Sequence, residues 1–138
     1  MSELIFKGLK VEEIDLSNKL QGEQKLNIEQ RSSFNVKYTQ DNKHCIATLT
    51  IDMMHKEKPM DFNFKIEVSG FMDVEGTMDK KEIHKNAYNE LYPHVRALAM
   101  TILVNAGLPP ITIPKVKMDD SNIRVSNDNA QNQGGLYS

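Results

Sequence analysis

Histidine and cysteine are the side chains of this sequence best suited to metal binding or nucleophilic catalysis. The chain has four histidines, His44, His55, His84 and His94, and a single cysteine, Cys45. The histidines show no metal-ligand spacing with each other or with acidic residues, so each is interpreted as an ordinary surface or half-buried side chain. Cys45 follows His44 directly, and because adjacent residues of a strand point to opposite faces, we expect a buried apolar thiol. The sequence therefore predicts no metal site, no cofactor and no enzymatic activity.

Glycine spacing and net charge argue against two further classes of function. Gly70 and Gly76 are isolated and precede no helix at the spacing of a phosphate-binding loop, so no ATPase is predicted. Nineteen acidic and seventeen basic residues leave a net charge of −2, which provides no long-range field to attract a polyanion. We therefore expect no nucleic-acid partner.

The start of the chain and its longest apolar run bear on its location. Met1-Ser2-Glu3-Leu4 contains no basic segment leading into an apolar stretch, so it does not resemble a secretion signal. The run from Ala97 to Val104 is far shorter than the ~20 residues needed to cross a bilayer. The single cysteine fits a reducing compartment. We expect a cytoplasmic protein without membrane insertion.

Methionine is abundant, with eight residues in the chain. Flexible, polarizable side chains suit a surface that accepts many apolar partners, but they also fill irregular cores, and composition alone favours the core. Five methionines bracket the clearest predicted strand: Met53, Met54, Met60, Met72 and Met78.

Period-two alternation in the first half of the chain predicts strands. Residues 34–38, 45–53 and 62–68 alternate apolar with polar side chains, and the turn-forming residues 40–43 predict an antiparallel hairpin between the first two. Residues 4–16 are strand-like but less regular, with apolar residues in both parities and a bulge expected at Gly8. Such a strand is expected to be covered on both faces.

The period changes at Asp79, where Asp79 and Glu82 have capping-box spacing and predict a helix start. Pro93 predicts a break, with a second helix that Gly107 ends. The fold class is therefore α+β: a four-stranded antiparallel sheet followed by two helices packed on one face. Residues 1–118 are predicted to form one domain, and the polar residues 119–138 a flexible tail.

Several segments together resemble the SecB family of export chaperones. Asn89–Arg96 (NELYPHVR) is similar to the segment that joins the family's helices, and Asn105–Val116 (NAGLPPITIPKV) to its closing segment. Phe64–Phe71 resembles the last strand with its Gly-aromatic exit, and Leu9–Leu16 the first strand. No single motif is specific, but the matches follow the family's order.

The resemblance implies a SecB-like chaperone that hydrolyses no ATP and assembles as a homotetramer, a dimer of dimers. Clients would be unfolded precursor proteins, held in apolar grooves between sheet and helix and delivered to the SecA motor ATPase. The family's acidic docking positions correspond to Glu13 and Glu67, although an exposed glutamate on a strand is at least as often merely solubilising. Five side chains are expected to line the client groove: Met53, Phe62, Phe64, Met72 and Tyr92.

Two departures from the family keep other functions open. The connector 18–24 is short and polar where the family has a longer crossover with aromatic residues, and the chain after Val116 lacks the usual apolar-aromatic run. One alternative is therefore a SecB-like chaperone dedicated to a specific client such as an antitoxin. Another is a small α+β binding protein with no chaperone role, and an enzyme is the remaining one.

Overall fold

The computed structural model describes residues 3–20, 27–108, 111 and 113. Along the chain, four strands precede one helix. The elements are β1 (Glu3–Asn18), β2 (Ile28–Tyr38), β3 (His44–His55), β4 (Phe62–Glu75) and α1 (Lys80–Asn105). All pairings are antiparallel, and the sheet order is β1-β4-β3-β2. The predicted α+β class and its four-stranded antiparallel sheet are confirmed.

The hairpin between β2 and β3 forms where turn-favouring residues were found. Tyr38 pairs with Cys45, and Asn42 takes the left-handed conformation with φ 58°. The Asp41 carboxylate accepts a hydrogen bond from the Lys43 backbone N–H at 3.0 Å. Asn and Asp are common here because their short side chains bond to the local backbone and tolerate positive φ.

The core lies between one face of the sheet and α1. Alternate residues of β3 and β4 point toward the helix, which explains the clean period-two patterns of these strands. The fully buried members on the two strands are Ala47, Leu49, Ile51, Met53, Phe62, Phe64, Ile66, Val68 and Met72. We call the sheet face opposite to α1 the outer face.

Strand β1 occupies one edge of the sheet and contains two β-bulges. The register with β4 shifts between Phe6 and Gly8 and again between Val11 and Glu13, so Lys7 and Glu12 are the extra residues. The expected bulge near Gly8 is confirmed, and the apolar side chains expected on both faces of β1 are unequally divided, with Ile5 on the outer face. Each bulge reverses the side-chain parity, so most apolar residues of β1 share the helix side.

The two predicted helices are one continuous helix. The Asp79 side chain caps its start by accepting from the Lys81 backbone N–H at 3.4 Å, so the predicted helix start is confirmed. Pro93 lies inside α1 and does not end it. An interior proline costs about 3 kcal/mol, whereas each large side chain buried on either side of it contributes roughly 1.5–3 kcal/mol. Leu91, Val95 and Leu103 are all buried, so packing outweighs the proline.

After α1 the chain turns at Gly107, whose φ is 89°. Leu108 and Ile113 are buried, and the Tyr92 hydroxyl donates a hydrogen bond to the Ile113 carbonyl. The predicted domain boundary at 118 and the tail 119–138 lie outside the described residues. No helix in the described part of the chain is long and apolar enough to span a membrane.

Candidate functional site

The two predicted docking glutamates lie side by side. Glu13 on β1 pairs directly with Glu67 on β4, and both point to the outer face because the neighbours of Glu67 in β4, Ile66 and Val68, are buried. The expected exposure of Glu67 to the outer side is thus explained by strand parity. Sequence reasoning named both residues but did not place them in contact.

The surroundings of this acidic pair only partly balance its charge. Glu13 Oε1 lies 3.5 Å from Lys65 Nζ, and the Thr50 hydroxyl donates to Glu67 Oε1 at 3.1 Å. Like charges directly opposite each other across two strands destabilise a sheet. The pair therefore contributes little to folding; Glu13 is exposed and Glu67 is half-buried.

The five predicted groove side chains lie in the core, between the sheet and α1. Their exposed fractions are 1% for Met53, 0% for Phe62, 1% for Phe64, 1% for Met72 and 8% for Tyr92. In a single chain they are covered, and a client would reach them only if α1 moved. That clients contact these side chains stays a prediction.

A different set of apolar side chains is exposed on the helix side of the sheet. Leu9, Val11 and Ile14 are 44%, 45% and 46% exposed. They pair across the sheet with Gly70, Val68 and Ile66, which places them on the same face as the core. We call these three residues the apolar row.

The helix flanks the apolar row without covering it. At one end the Phe6 ring stacks on His94, with ring centroids 5.0 Å apart and 6° between the planes. At the other end the Asn18 side-chain amide donates to the Ala106 carbonyl at 3.1 Å. Leu98 and Ile102 are half-buried and follow His94 at four-residue spacing, so they lie on the same side of α1.

The sheet edge next to the apolar row is unpaired. In the described part of the chain β1 hydrogen-bonds only with β4, and β1 is the terminal strand in the sheet order. An edge strand presents a row of backbone N–H and C=O groups that another strand can use. Apolar side chains and backbone hydrogen-bonding groups are thus available at one place, which is what an extended polypeptide requires.

Cys45 and the neighbouring His44 lie on opposite faces of β3, as strand parity predicts. Cys45 is 2% exposed, and burial together with nearby Asp73 raises the pKa of its thiol to about 11. His44 points to the other face, where its Nδ1 lies 2.6 Å from Asp73 Oδ1. Burial lowers the pKa of His84. No group of three or more metal-binding side chains occurs in the described ranges.

Comparison with known proteins gives a structural likeness only. No protein-family model matches the chain, and no curated protein matches its sequence. Among solved structures, the Mycobacterium tuberculosis SecB-like chaperone Rv1957, in complex with a ChAD peptide from the Rv1956 HigA1 antitoxin, is similar with a TM-score of 0.60 and 15% identity. The match covers 83% of this chain and 88% of that chain.

A protein of unknown function from Streptococcus agalactiae matches with a TM-score of 0.48 and 15% identity, over 83% of this chain and 98% of that chain. At 15% sequence identity, the likeness to Rv1957 shows the fold alone. The predicted resemblance to SecB is confirmed at that level: the chain has a SecB-like fold.

Proposed function

We propose that this protein is an ATP-independent chaperone that holds extended, non-native segments of client proteins on the apolar row. The observation that carries the proposal is the exposure of Leu9, Val11 and Ile14 on the helix side of an unpaired edge strand. Three adjacent apolar side chains suit a segment with alternating apolar residues, which packs on the face of β1 and leaves the backbone edge of the strand to a second copy. The SecB-like fold supports this function, and no enzymatic step is part of it.

Holding without nucleotide hydrolysis is energetically reasonable at such a site. Burying one large apolar client side chain contributes about 1.5–3 kcal/mol, so a single row binds weakly and releases readily. Several rows joined in one assembly strengthen binding through effective concentration. Reversible holding of unfolded precursor proteins in the cytoplasm needs no other source of energy.

The same strand edge supports a proposal for assembly. A second copy can pair antiparallel with β1, so that Leu9 of each copy faces Ile14 of the other and the two sheets become continuous. The two apolar rows then form one broader surface between two helices. We propose this dimer as the unit of a homotetramer in which two dimers associate.

The acidic pair supports transfer of clients to a motor. Glu13 and Glu67 lie on the outer face, away from the apolar row, so a partner docked there leaves the client in place. We propose that a SecA-type motor ATPase binds these two carboxylates through basic side chains. Reversal of either charge is expected to weaken binding of the motor, and unchanged affinity would contradict docking at this pair.

A dedicated client is the second candidate function. Rv1957, which shares the fold, was solved with an antitoxin peptide, which favours a single client of the antitoxin class. The genes beside the one for this chain discriminate between the two candidates. A toxin and antitoxin pair there would favour dedication, and their absence would favour general export.

The apolar row is tested by a triple variant, Leu9→Thr with Val11→Thr and Ile14→Thr. Threonine keeps the strand propensity and removes the apolar contact. Three lost contacts of about 1 kcal/mol each predict roughly a hundredfold weaker capture of a chemically unfolded client. Light scattering measures suppression of client aggregation, and titration calorimetry with a permanently unfolded chain measures affinity.

The matched control is Ile46→Thr, which makes the same chemical change at a side chain 40% exposed on the outer face. Native mass spectrometry of all samples separates loss of the client site from loss of assembly. A triple variant with wild-type mass and wild-type holding would refute the proposal. Failure of the wild-type protein to protect any unfolded client would favour a binding protein without chaperone activity.

A further inference from the structure

A row of four charged side chains crosses the outer face of the sheet. Asp15 on β1 pairs with Lys65 on β4. Lys65 pairs on its other side with Asp52 on β3, and Asp52 pairs with Arg31 on β2. Directly paired residues share a face, and the neighbours of Lys65 in β4 are buried in the core, so all four point outward. We call Asp15, Lys65, Asp52 and Arg31 the charge row.

The charges of this row are only partly neutralised within the chain. Lys65 Nζ and Arg31 Nη2 lie 3.5 and 3.0 Å from glutamate oxygens outside the row. Such exposed ion pairs are worth about 0–1 kcal/mol and rearrange readily. Asp15 and Asp52 form no ion pair with any residue in the described ranges. The charge row therefore retains two carboxylates that a cationic partner would satisfy.

The order of the signs is opposite on the two halves of the sheet. A two-fold axis parallel to the strands, midway between β3 and β4, places β1 of one copy over β2 of a second copy, and β4 over β3. Asp15 then faces Arg31 of the second copy, and Lys65 faces Asp52, so all four contacts join opposite charges. A two-fold axis perpendicular to the strands would place each charge over its own equivalent. The charge row thus favours one of the two orientations.

The centre of the outer face matches in the same orientation. Phe71 pairs directly with Ile46, and the two side chains are 36% and 40% exposed. The axis exchanges them, so each Phe71 packs on Ile46 of the second copy. Lys37 lies beside Ile46 and faces Gly8 of the second copy, where a Cβ would meet no heavy atom within 4 Å. The missing side chain therefore leaves room for the lysine.

The remaining acidic residues near the centre also avoid one another. Glu13 and Glu67 lie on the β1 and β4 half of one row. That row continues on β3 and β2 with hydroxyl side chains, Thr50 and Ser33. The two carboxylates therefore face hydroxyl groups of the second copy. Asp73 pairs with His44 in another row, so each Asp73 faces the imidazole of the second copy.

We propose that the outer face binds a second copy of this chain face to face, with the charge rows of the two copies in contact. Packed sheets lie about 10 Å apart with strand directions about 30° apart, which displaces the edge contacts by about 4 Å, within reach of an arginine side chain. Four strands over residues 63–73 give about 600 Å² per copy. A total of about 1,200 Å² is at the lower end for specific interfaces, so the dimer is weak and depends on concentration.

This contact is distinct from pairing through the backbone edge of β1, and it leaves the apolar row open on the opposite face. It covers Glu13 and Glu67, so a second copy and a motor docked at these carboxylates exclude one another. Contact between the outer faces requires no chaperone activity.

Charge exchange between Asp15 and Arg31 tests the contact. Within one chain they stand on opposite edge strands, three strand spacings or about 14 Å apart, so they do not contact each other. Asp15→Arg and Arg31→Asp each place like charges together twice in the dimer. Each variant alone is expected to associate at least about tenfold more weakly than wild type.

An equimolar mixture of the two variants is expected to recover wild-type association. Each Asp15→Arg chain then faces an Arg31→Asp chain, and both edge contacts again join opposite charges. A folding defect in either variant would persist in the mixture, so recovery separates lost contact from lost structure. Glu90→Arg, an equal change of charge at an exposed position of α1, is the matched control and is expected to associate like wild type.

Methyl NMR and sedimentation velocity of the full-length protein measure association. The Ile46 methyl signals report on the outer face, and those of Ile14 report on the apolar row. The Ile46 signals of wild type are expected to shift on dilution, and the shift is expected to begin at higher protein concentration when salt is added, because the charge contacts are partly exposed. In either single variant the Ile46 signals are expected to stay near their dilute positions.

Three results would overturn the proposal. One is a wild-type Ile46 signal that stays constant between about 10 μM and about 1 mM, as expected if another protein or another segment of the same chain occupies the face. The second is equal dilution behaviour of Asp15→Arg and wild type. The third is a mixture that associates no better than the single variants. Client capture is measured separately with the apolar-row variant, so each proposal can fail without the other.

Discussion

Replacement of Pro93 by alanine is expected to stabilise the protein. Proline has no backbone N–H, so the bond that position 93 of α1 would donate to the Asn89 carbonyl is missing, and the ring crowds that carbonyl. Pro93 is exposed, so removal of its ring loses little packing. The change therefore tests helix continuity with few side effects.

The size of the effect follows from two opposing terms. An alanine in the interior of a helix is favoured over proline by about 3 kcal/mol. Proline restricts the unfolded chain, and its loss returns roughly 0.4–1 kcal/mol of entropy to the unfolded state. The expected net gain is about 2 kcal/mol, which raises the urea midpoint by about 1 M at an unchanged slope.

Equilibrium urea unfolding followed by circular dichroism measures this change. Ala97→Pro is the matched control, since Ala97 is also exposed and lies four residues further along α1; it is expected to cost about 3 kcal/mol. If Pro93 instead began a separate helix, where its missing N–H is harmless, Pro93→Ala would be nearly neutral. A midpoint shift below about 0.2 M would refute the continuous helix.

Three further predictions follow from buried and paired groups. Glu67→Gln is expected to leave the free energy of unfolding within about 0.5 kcal/mol of wild type, because the amide oxygen still accepts from Thr50 and one repulsion with Glu13 is removed. Its affinity for a basic motor partner is expected to fall. A large loss of stability in urea unfolding would contradict this. Cys45 is expected to react with a thiol reagent at pH 8 only as fast as the protein unfolds, since burial raises the pKa of its thiol to about 11. Rapid labelling of the native protein would be inconsistent with a buried thiol. Burial lowers the pKa of His84 in the folded state, so the folded protein binds fewer protons than the unfolded chain. The free energy of unfolding is therefore expected to decrease as the pH falls below about 6.5. His84→Phe should make the free energy of unfolding depend less steeply on pH in this range.

Local patterns predicted most of the sheet and the start of the helix. Residues 45–53 and 62–68 alternate because one face packs on α1, and this relation is visible without any partner strand. The cap at Asp79 depends on residues within one turn. The hairpin turn at 40–43 is equally local. These elements were predictable because short-range chemistry alone determines them.

The continuous helix was not predictable from the local signal. Proline at position 93 favours a break when only neighbouring residues are considered. The outcome depends on how much side-chain surface the helix buries against a sheet formed by residues far away in the sequence. Such burial depends on tertiary packing, and it outweighs the local preference of proline for a helix break.

The apolar row was not named from the sequence for a related reason. Sequence reasoning assigned the client groove to Phe62, Phe64 and other strong apolar residues, and the strongest apolar residues are the ones that fold into the core. The apolar row became visible only when the β1 register was known, because two bulges change which residues share a face. The irregular spacing of Leu9, Val11 and Ile14 between charged residues was the available signal.

The bulges at Lys7 and Glu12 make β1 tolerant of a shorter chain at two points. Each of the two is the extra residue between regularly paired neighbours, so deleting it would remove the bulge and leave every flanking side chain on its present face. Deleting a paired residue between them, such as Lys10, would instead turn the side chains on one side of the deletion to the opposite face and move leucines into water. Among homologues, single-residue gaps in this strand should therefore occur at the two bulge positions, or elsewhere only as compensating pairs that restore the original phase.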